Sequence, residues 1–280
     1  MTRREVLNRA STLLSSNNVE DEALEAELLL RHTLHINRAG LYAEPEGALT
    51  SQQEADFWNK IERRVKGMPS AYITGVREFY GLEFYVDDSV LIPRPETELL
   101  VEKAIEITRN YSSPVIADIG TGCGAIAISL AVNLPQAFLF AADISQKSLD
   151  TARRNCERHD VERRVRLYVG DLLEPLREPV DIIVANLPYV RTADLPAVNT
   201  NGYEPHLALD GGEDGLDVIR RLCTQVDRKL KPDGSLLLEI GMGQREEVVN
   251  LLHALFSLAP ISVIPDLTGI DRVLCMTLVS

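Results

Sequence analysis

The stretch that decides the fold is VIADIGTGCG, residues 115–124, in which an apolar run leads into an acid and then into three glycines at alternate positions. A short apolar run of this kind favours a buried strand, and the pattern that follows directly over 124–133 favours a helix. The glycines permit a sharp turn and let a ligand approach the main chain. Their spacing is GxGxG, which differs from the GxGxxG of dinucleotide-binding proteins. A tight turn that binds nothing is the alternative.

Apolar runs like this one recur along the C-terminal part of the chain, with helical patterns between them. The predicted strands cover 115–119, 138–142, 165–169, 180–185, 236–240, 261–265 and 272–279. The predicted helices lie near 124–133, 145–158, 215–230 and 243–256. Because alternating strands and helices build a sheet covered on both faces, we predict an α/β fold with a doubly wound, mostly parallel, seven-stranded sheet. The short link between the last two strands favours an antiparallel pair at one edge.

The N-terminal part of the chain has only helical patterns. Apolar spacing predicts helices over 3–16 and 20–35, and a third helix that opens at Ser51-Gln-Gln-Glu54, which has the spacing of a capping box. The predicted domain organisation is a helical bundle over 1–73, a hairpin or linker over 74–95, and the α/β domain over 96–280.

Residues 93–97, PRPET, connect this linker to the next predicted helix. Two prolines fix the backbone and disfavour helix at the residues before them, so the segment is interpreted as a stiff connection into a helix N-terminus. The alternative is a rigid corner that closes over a bound ligand.

The composition argues against several classes of protein. With 29 Lys+Arg against 42 Asp+Glu, the formal charge is −13, which disfavours nucleic-acid binding through bulk phosphate neutralisation. No apolar run approaches the ~20 residues that span a bilayer, and the first residues predict no signal peptide, so we expect a cytoplasmic protein. The four cysteines form no CxxC pair and the five histidines no ligand spacing. We therefore predict buried, reduced cysteines and no metal site.

Acids follow the second and third predicted strands of the α/β domain. Asp143 ends the second strand, 23 residues after Gly120, where a carboxylate can accept hydrogen bonds from both hydroxyls of a ribose. Asp171 follows the third strand, where it could bind the exocyclic amine of an adenine, and Leu172 could pack on the ring. Each acid alone is also compatible with a helix cap or a turn. Since ligands bind outside the carboxyl ends of the strands in such sheets, the strand ends together predict a nucleoside site.

The fourth strand ends in Asn186-Leu187-Pro188-Tyr189, which we interpret as a substrate site. The Asn186 side-chain oxygen and the Leu187 carbonyl can each accept one N–H of a planar amino group, and Tyr189 can stack on its face. Such a site suits an amide or an aromatic amine, whose nitrogen is a weak nucleophile and depends on positioning. An ordinary Asn-Pro turn is the alternative.

In this order, GTGCG, Asp143, Asp171 and NLPY resemble the class I S-adenosylmethionine-dependent amino-methyltransferases. More narrowly, AYITGVREFYGLEFYVDDSVLIPRPETELLV, YEPHLALDGGEDGLDVIRRL and LLLEIGMGQ resemble the HemK/PrmC family, the peptide chain release factor glutamine-N5 methyltransferases. The resemblance covers essentially the whole chain, as far as DLTGIDRVLCMTLV. It implies the seven-stranded methyltransferase sheet and methyl transfer from S-adenosylmethionine to the Gln of the GGQ loop of a release factor, without a metal.

The resemblance also implies roles for individual residues. The methionine portion of the cofactor would be held by Gly120, Thr121, Gly122, Cys123 and Gly124, the ribose by Asp143, and the adenine by Asp171 with Leu172. The substrate Gln would be held by Leu187, Pro188, Tyr189 and Asn186, the last of which also lies beside the cofactor. The N-terminal bundle would help to grip the release factor.

One position departs from the family pattern. The family usually has NPPY, whereas this chain has Leu187 at the second position. Because the predicted role uses the main-chain carbonyl, we expect Leu to be tolerated there. NLPY also resembles the rRNA adenine dimethyltransferases, so one alternative is an amino-methyltransferase that acts on adenine or cytosine of RNA or DNA. A second alternative is a non-catalytic module that binds the cofactor or a partner, and the glycine spacing disfavours a third, an NAD-dependent dehydrogenase.

Overall fold

The computed structural model describes residues 1–109, 111–199 and 201–279, and the chain folds as two units, Met1–Val76 and Arg77–Ser280. The helices of the first unit are α1 (Arg3–Ser16), α2 (Glu22–Leu34), α3 (Arg38–Ala43), α4 (Ser51–Val65) and α5 (Ser70–Thr74). Their apolar faces meet in a core that includes Leu14, Leu30 and Phe57, all fully buried. The three longer helices were predicted, whereas α3 and α5 are too short for a helical period to be recognised.

The capping box of α4 lies one residue earlier than predicted. Thr50 Oγ1 accepts a hydrogen bond from the Gln53 main-chain N–H at 3.2 Å, and Gln53 Oε1 accepts one from the Thr50 N–H at 3.0 Å. A box from Ser51 to Glu54 is wrong because Ser51 is already the first helical residue, whereas Thr50 has the extended backbone of an N-cap.

A hairpin follows α5 in the sequence and consists of β1 (Val76–Phe79) and β2 (Leu82–Tyr85). The sequence left both a hairpin and a plain linker open for residues 74–95, and the structure has a hairpin there. The PRPET segment then forms a 3₁₀ turn over Pro95–Thr97, which continues directly into α6 (Glu98–Thr108).

The second unit contains the predicted seven-stranded sheet, counted over its described residues, with strand order β5-β4-β3-β6-β7-β9-β8. The strands are β3 (Val115–Ile119), β4 (Phe138–Asp143), β5 (Val165–Val169), β6 (Val180–Ala185), β7 (Leu230–Glu239), β8 (Ile261–Pro265) and β9 (Asp271–Thr277). The first five pair in parallel, and β9 runs antiparallel to both β7 and β8. The chain moves outward from β3 through β4 to β5 and then crosses to β6. The strand order therefore reverses between β3 and β6, where open α/β sheets bind their ligands.

Strand β7 begins six residues earlier than predicted, at Leu230. The helix predicted to run to residue 230 ends instead at Val226. Asp233 has a left-handed backbone (φ 62°), and the pairing of β7 with β6 shifts register between Leu230 and Ser235. The sequence Pro-Asp-Gly at 232–234 forms this irregularity within the strand, and it interrupts the apolar alternation that would have indicated the longer strand.

The remaining helices of the second unit lie between these strands: α7 (Ala125–Asn133), α8 (Gln146–Arg158), α9 (Leu195–Val198), α10 (Asp217–Val226) and α11 (Arg245–Leu255). Alternate residues of β3 point to opposite faces of the sheet. Ala117 packs in one core cluster with Ile219 of α10 and Val248 of α11. Asp118 points the other way and accepts a hydrogen bond from the Ala127 N–H of α7 at 3.1 Å. The sheet is therefore covered on both faces.

The described parts of the chain contain neither a membrane-spanning helix nor a group of side chains that could hold a metal ion. In those parts no helix combines the length and the apolarity needed to cross a membrane. No group of three or more His, Cys, Asp or Glu side chains there is arranged to hold a metal ion. The cysteines at 123, 156, 223 and 275 are buried and free, as predicted.

Candidate active site

A cavity of about 240 Å³ lies within the second unit at the carboxyl ends of its parallel strands. The predicted site residues that line it are Gly120, Thr121, Gly122, Cys123, Asp143, Asp171, Leu172, Asn186, Leu187 and Pro188. Two further predicted residues, Gly124 and Tyr189, lie outside this lining. The topology thus brings residues from four strand ends, which are up to about 70 positions apart in the sequence, to a single cavity.

The turn after β3 depends on its glycines. Gly120, Gly122 and Gly124 have φ angles of 73°, 56° and 84°, a region that other residues rarely adopt. A Cβ on Gly124 would come within 2.9 Å of the Ile128 side chain. A Cβ on Gly122 would meet nothing within 4 Å, so at that position the main chain is open to the cavity.

The buried carboxyl group of Asp118 stabilises this turn by hydrogen bonds. Its Oδ2 accepts hydrogen bonds from the Thr121 hydroxyl at 2.6 Å and from the Ala127 N–H at 3.1 Å. Its Oδ1 is buried and has no hydrogen-bond partner in the described chain. Burial raises the pKa of the Asp118 carboxyl to about 7, against the effect of those two hydrogen bonds.

Asp143 links the end of β4 to the glycine turn. Its Oδ2 accepts a hydrogen bond from the Gly122 N–H at 2.9 Å, and its Oδ1 accepts one from the Ser145 N–H at 2.8 Å. Burial raises the pKa of this carboxyl, while the main-chain donors oppose the rise. Each oxygen keeps a lone pair for a further donor. Ile144 follows, and it lines the cavity although 56% of its side chain is exposed.

Asp171 and Leu172 form the wall after β5. Asp171 Oδ2 pairs with the Arg221 guanidinium, which also lines the cavity. Leu172 has a left-handed backbone with φ 51°, a conformation that costs a non-glycine residue about 1–2 kcal/mol. Such strain is typical of sites where the surrounding structure holds a residue in place for binding.

Asn186, directly after β6, has an oriented side chain. Its Nδ2 donates a hydrogen bond to the Thr97 hydroxyl at 3.0 Å. Its Oδ1 has no hydrogen-bond partner within the described residues, and neither has the main-chain oxygen of Leu187. Two acceptors of adjacent residues are therefore available at the cavity wall.

Tyr189 lies outside the cavity lining, and its hydroxyl contacts the end of β7. Its hydroxyl donates a hydrogen bond to Glu239 Oε1 at 3.3 Å, and burial together with the Glu239 charge raises the pKa of the phenol. Glu239 is only 2% exposed, and its Oε2 has no hydrogen-bond partner in the part of the chain that the structure describes. Burial raises the pKa of Glu239 to about 7, and the nearby Thr97 hydroxyl opposes the rise.

Another part of the cavity wall consists of two segments, one around 89–97 and the other around 205–210. Glu204 joins them. Its Oε1 accepts a hydrogen bond from the Ile92 N–H at 3.2 Å, and its Oε2 pairs with the Arg94 guanidinium. Asn199 donates to the Glu204 carbonyl at 2.8 Å and holds the loop that carries it.

Sequence reasoning missed several residues of the site, among them Thr97, Ile144 and Glu239. Thr97 lies in the PRPET segment, which is part of a stretch that resembles the family, and that resemblance was the available signal. Ile144 follows the acid at the end of β4, so an apolar residue beside a predicted nucleoside-binding carboxylate was the available signal. Glu239 ends an apolar strand, and a charged residue in that position is unusual enough to have been noticed.

Comparison with known proteins identifies the family. Residues 5–75 match the model of the PrmC N-terminal domain, and residues 95–200 match the model of the methyltransferase small domain. The release factor glutamine methyltransferase of Moorella thermoacetica is 43% identical over 274 residues, which cover 97% of this chain and 97% of that protein. The chain belongs to the release factor glutamine methyltransferase family.

Other members of the release factor glutamine methyltransferase family are similarly close. The protein of that name from Koribacter versatilis is 40% identical over 278 residues, 98% of this chain and 97% of the relative. The likeness therefore includes the helical unit as well as the α/β unit. The family predicted from the sequence motifs is confirmed, and membership decides against the dehydrogenase alternative.

The fold is also that of other methyltransferases. The crystal structure of a methyltransferase from Pyrococcus furiosus superposes with a TM-score of 0.53 and covers 82% of this chain and 100% of its own. The two chains are 20% identical, so this likeness concerns the fold alone. The predicted α/β fold with its seven-stranded sheet is confirmed.

Proposed function

We propose that this chain transfers a methyl group from S-adenosylmethionine to the side-chain amide nitrogen (N5) of the Gln in the GGQ motif of peptide chain release factors. The observation that carries the proposal is the pair of free acceptors, Asn186 Oδ1 and the Leu187 carbonyl, beside the glycine turn in one cavity. The names of the family members at 43% and 40% identity support the same substrate.

The lining of the cavity fits S-adenosylmethionine. Gly122 leaves main chain open to the cavity, and Asp143 retains lone pairs for the two hydroxyls of a ribose. Ile144 and Leu172 offer apolar surface to a flat ring, and Asp171 offers a carboxylate oxygen to an exocyclic amine. When bound, this cofactor supplies an electrophilic methyl group on a positively charged sulfur.

The chain's own contribution to the reaction is the positioning of the substrate nitrogen. An amide NH₂ carries two protons, and the two acceptors at Asn186 and Leu187 can take one each. Held in this way, the nitrogen keeps one orientation for attack without prior deprotonation. The methylated nitrogen then carries one proton too many and is strongly acidic, so it releases that proton to water. Hydrogen bonds to these acceptors strengthen as the nitrogen gains positive charge, so they favour the transition state over the bound substrate.

The organisation of the chain fits a protein substrate. We assign residues 1–73 to gripping the release factor, 74–95 to a connection and 96–280 to binding of the cofactor and catalysis, and we place the enzyme in the cytoplasm, where it would meet its substrate. The net charge of −13 supports a protein partner over RNA or DNA, whose phosphates an acidic chain repels.

Mass spectrometry tests the proposed function. A GGQ-containing release factor is incubated with the enzyme and S-adenosylmethionine, and we expect one added methyl group on the Gln of the motif. The controls are the same factor with that Gln replaced by Ala, and an Asn186→Ala enzyme that still binds the cofactor. Methylation of another residue, or of RNA added in competition, would contradict the proposal.

A further inference from the structure

We propose that Thr97 is a positioning residue that, with Glu239 behind it, holds the amide of Asn186 with its oxygen free for the substrate. This inference rests on the proposed function and deepens it. It also gives the PRPET segment a part in positioning the substrate.

The orientation of the Asn186 amide decides what it can bind. Its two ends have similar shapes but opposite hydrogen-bonding character, because the oxygen accepts and the nitrogen donates. A rotated amide would present N–H groups to the N–H groups of the substrate, and neither side could accept. Another side chain must therefore hold the Asn186 amide in one orientation.

Thr97 holds the amide by its nitrogen. The distance from Asn186 Nδ2 to Thr97 Oγ1 is 3.0 Å, and only 4% of Thr97 is exposed, so water does not replace this contact easily. The two residues are 89 positions apart, and the 3₁₀ turn of PRPET sets the place of the hydroxyl at the start of α6. A hydroxyl, however, both donates and accepts, and by itself it could also donate to the oxygen of a rotated amide.

Glu239 removes that ambiguity. It is 2% exposed, and its Oε1 receives the Tyr189 hydroxyl at 3.3 Å, while its Oε2 is an acceptor without a partner among the described residues. The Thr97 hydroxyl favours the charged form of this carboxyl and so opposes the rise of its pKa on burial. Burial raises the pKa of Glu239 to about 7, so above that pH it is a carboxylate, which only accepts. There the Thr97 proton is directed toward Glu239, and the Thr97 oxygen is left to accept from Asn186. Glu239, at the buried end of this series of hydrogen bonds, thus fixes the direction in which each group donates.

The proposal is tested by three variants, each compared with the wild-type enzyme in Gln methylation and in cofactor binding by calorimetry. Thr97→Val keeps the shape and removes the hydroxyl, and we expect kcat to fall about 10- to 100-fold with cofactor affinity within about twofold. Thr97→Ser keeps the hydroxyl and should restore most of kcat. Thr108→Val is the matched control, since Thr108 is a fully buried threonine of α6 whose hydroxyl bonds, as far as the described residues go, to the main chain of its own helix.

Glu239→Gln gives an independent test should Thr97→Val fail to fold. A neutral amide can donate as well as accept, so the direction of its hydrogen bond with Thr97 is no longer fixed. We therefore expect kcat to fall several-fold. In the Thr97→Val background the same substitution should have no further effect, because the hydroxyl that transmits it is absent.

The outcomes separate the two proposals. Unchanged kcat in Thr97→Val, an equal fall in Thr97→Ser, or additive effects of the two substitutions would overturn the role of Thr97. A wild-type enzyme that is inactive on the release factor overturns the proposed function and this inference with it, whereas an active wild type beside an equally active valine variant overturns the inference alone.

Discussion

The side chain of Leu187 lies against the main chain of Gly120. A Cβ built on Gly120 would come within 3.1 Å of Leu187 Cδ2 and within 3.6 Å of the Asn186 carbonyl. The glycine turn after β3 and the NLPY turn after β6 therefore touch at the point where the strand order reverses. A side chain at position 120 would therefore crowd Leu187 as well as adopt a positive φ.

Replacement of Gly120 by Ala should be more destabilising than its backbone conformation alone explains. Gly81 is the matched control, since its φ of 71° is close to the 73° of Gly120. A Cβ on Gly81 would meet nothing within 4 Å. We expect Gly81→Ala to cost about 1–2 kcal/mol from the left-handed backbone, and Gly120→Ala to cost more. Chemical denaturation of both variants measures the difference, and equal losses would contradict the contact.

Replacement of Leu187 by Pro, the residue usual in the family, should preserve activity. The main-chain carbonyl is kept, and no hydrogen bond from the Leu187 N–H is present within the described chain. The Leu187 side chain, however, is only 4% exposed and packs in the core of the second unit. A role for the carbonyl alone does not predict this packing. Loss of one buried carbon should cost about 0.8 kcal/mol, offset in part by a stiffer unfolded chain. Steady-state kinetics and thermal unfolding check this, and a collapse of kcat would mean that the side chain contacts the substrate.

The sequence predicted which residues meet at the cavity because of a simple rule of topology. Parallel strands carry their carboxyl ends to one edge of the sheet, so the residues that follow β3, β4, β5 and β6 become neighbours whatever their separation in sequence. Asn186 and Asp143 are correctly located by this rule alone. It uses only strand order and direction, both of which alternating patterns reveal.

The sequence could not predict how those side chains point. The Tyr189 hydroxyl bonds to Glu239, because the neighbouring strand β7 supplies a buried acceptor, and no pattern in the sequence specifies that partner. Thr97 reaches Asn186 across 89 positions through the placement of a helix start, which no local pattern specifies. Rotamers and contacts between elements follow from packing, and packing becomes visible only in three dimensions.

Replacement of Asp143 by Ala should weaken cofactor binding. The carboxylate receives the Gly122 and Ser145 N–H groups and is the predicted acceptor for the ribose, so both the turn and the ligand lose a charged partner. Loss of hydrogen bonds to a charged group corresponds to about a 10- to 100-fold loss of affinity. Calorimetry with S-adenosylmethionine measures this loss. Asp150→Ala, an exposed acid on α8, is the control and should bind normally.

Replacement of Glu204 by Gln should loosen the two-segment wall of the cavity. The Ile92 N–H keeps an acceptor in the amide oxygen, but the charge pair with Arg94 is lost. We expect the cofactor to dissociate about threefold to tenfold faster, in line with a partly exposed ion pair, with little change in thermal stability. Stopped-flow displacement measures the rate. Arg191→Gln, which breaks the exposed pair with Asp194 on the same loop, is the control that should leave dissociation unchanged.

The free energy of unfolding should fall as pH rises from about 4 to about 7 because of Asp118 and Glu239. Burial raises the pKa of each carboxyl to about 7, from ordinary values of 3.8 and 4.5. Between the ordinary pKa of each group and its raised value of about 7, the folded chain keeps a proton that the unfolded chain has released. Each increase in pH over this range therefore favours unfolding. Thr97, Tyr189, Arg272 and Glu96 also act on Glu239, but burial is the largest cause of its shift.

Denaturation of the wild type and of Glu239→Gln at a series of pH values between 5 and 8 isolates the contribution of Glu239. A shift of this size corresponds to on the order of 3 kcal/mol in stability, present below about pH 4 and lost by about pH 7. The glutamine variant cannot titrate, so its stability should fall less steeply over this range and run parallel to the wild type above it. Glu246→Gln, in the first turn of α11, serves as the control and should reproduce the wild-type slope. Identical slopes for all three proteins would mean that Glu239 is ionised in the folded enzyme throughout this range, since only a proton retained on folding can make the wild type differ from its isosteric variant.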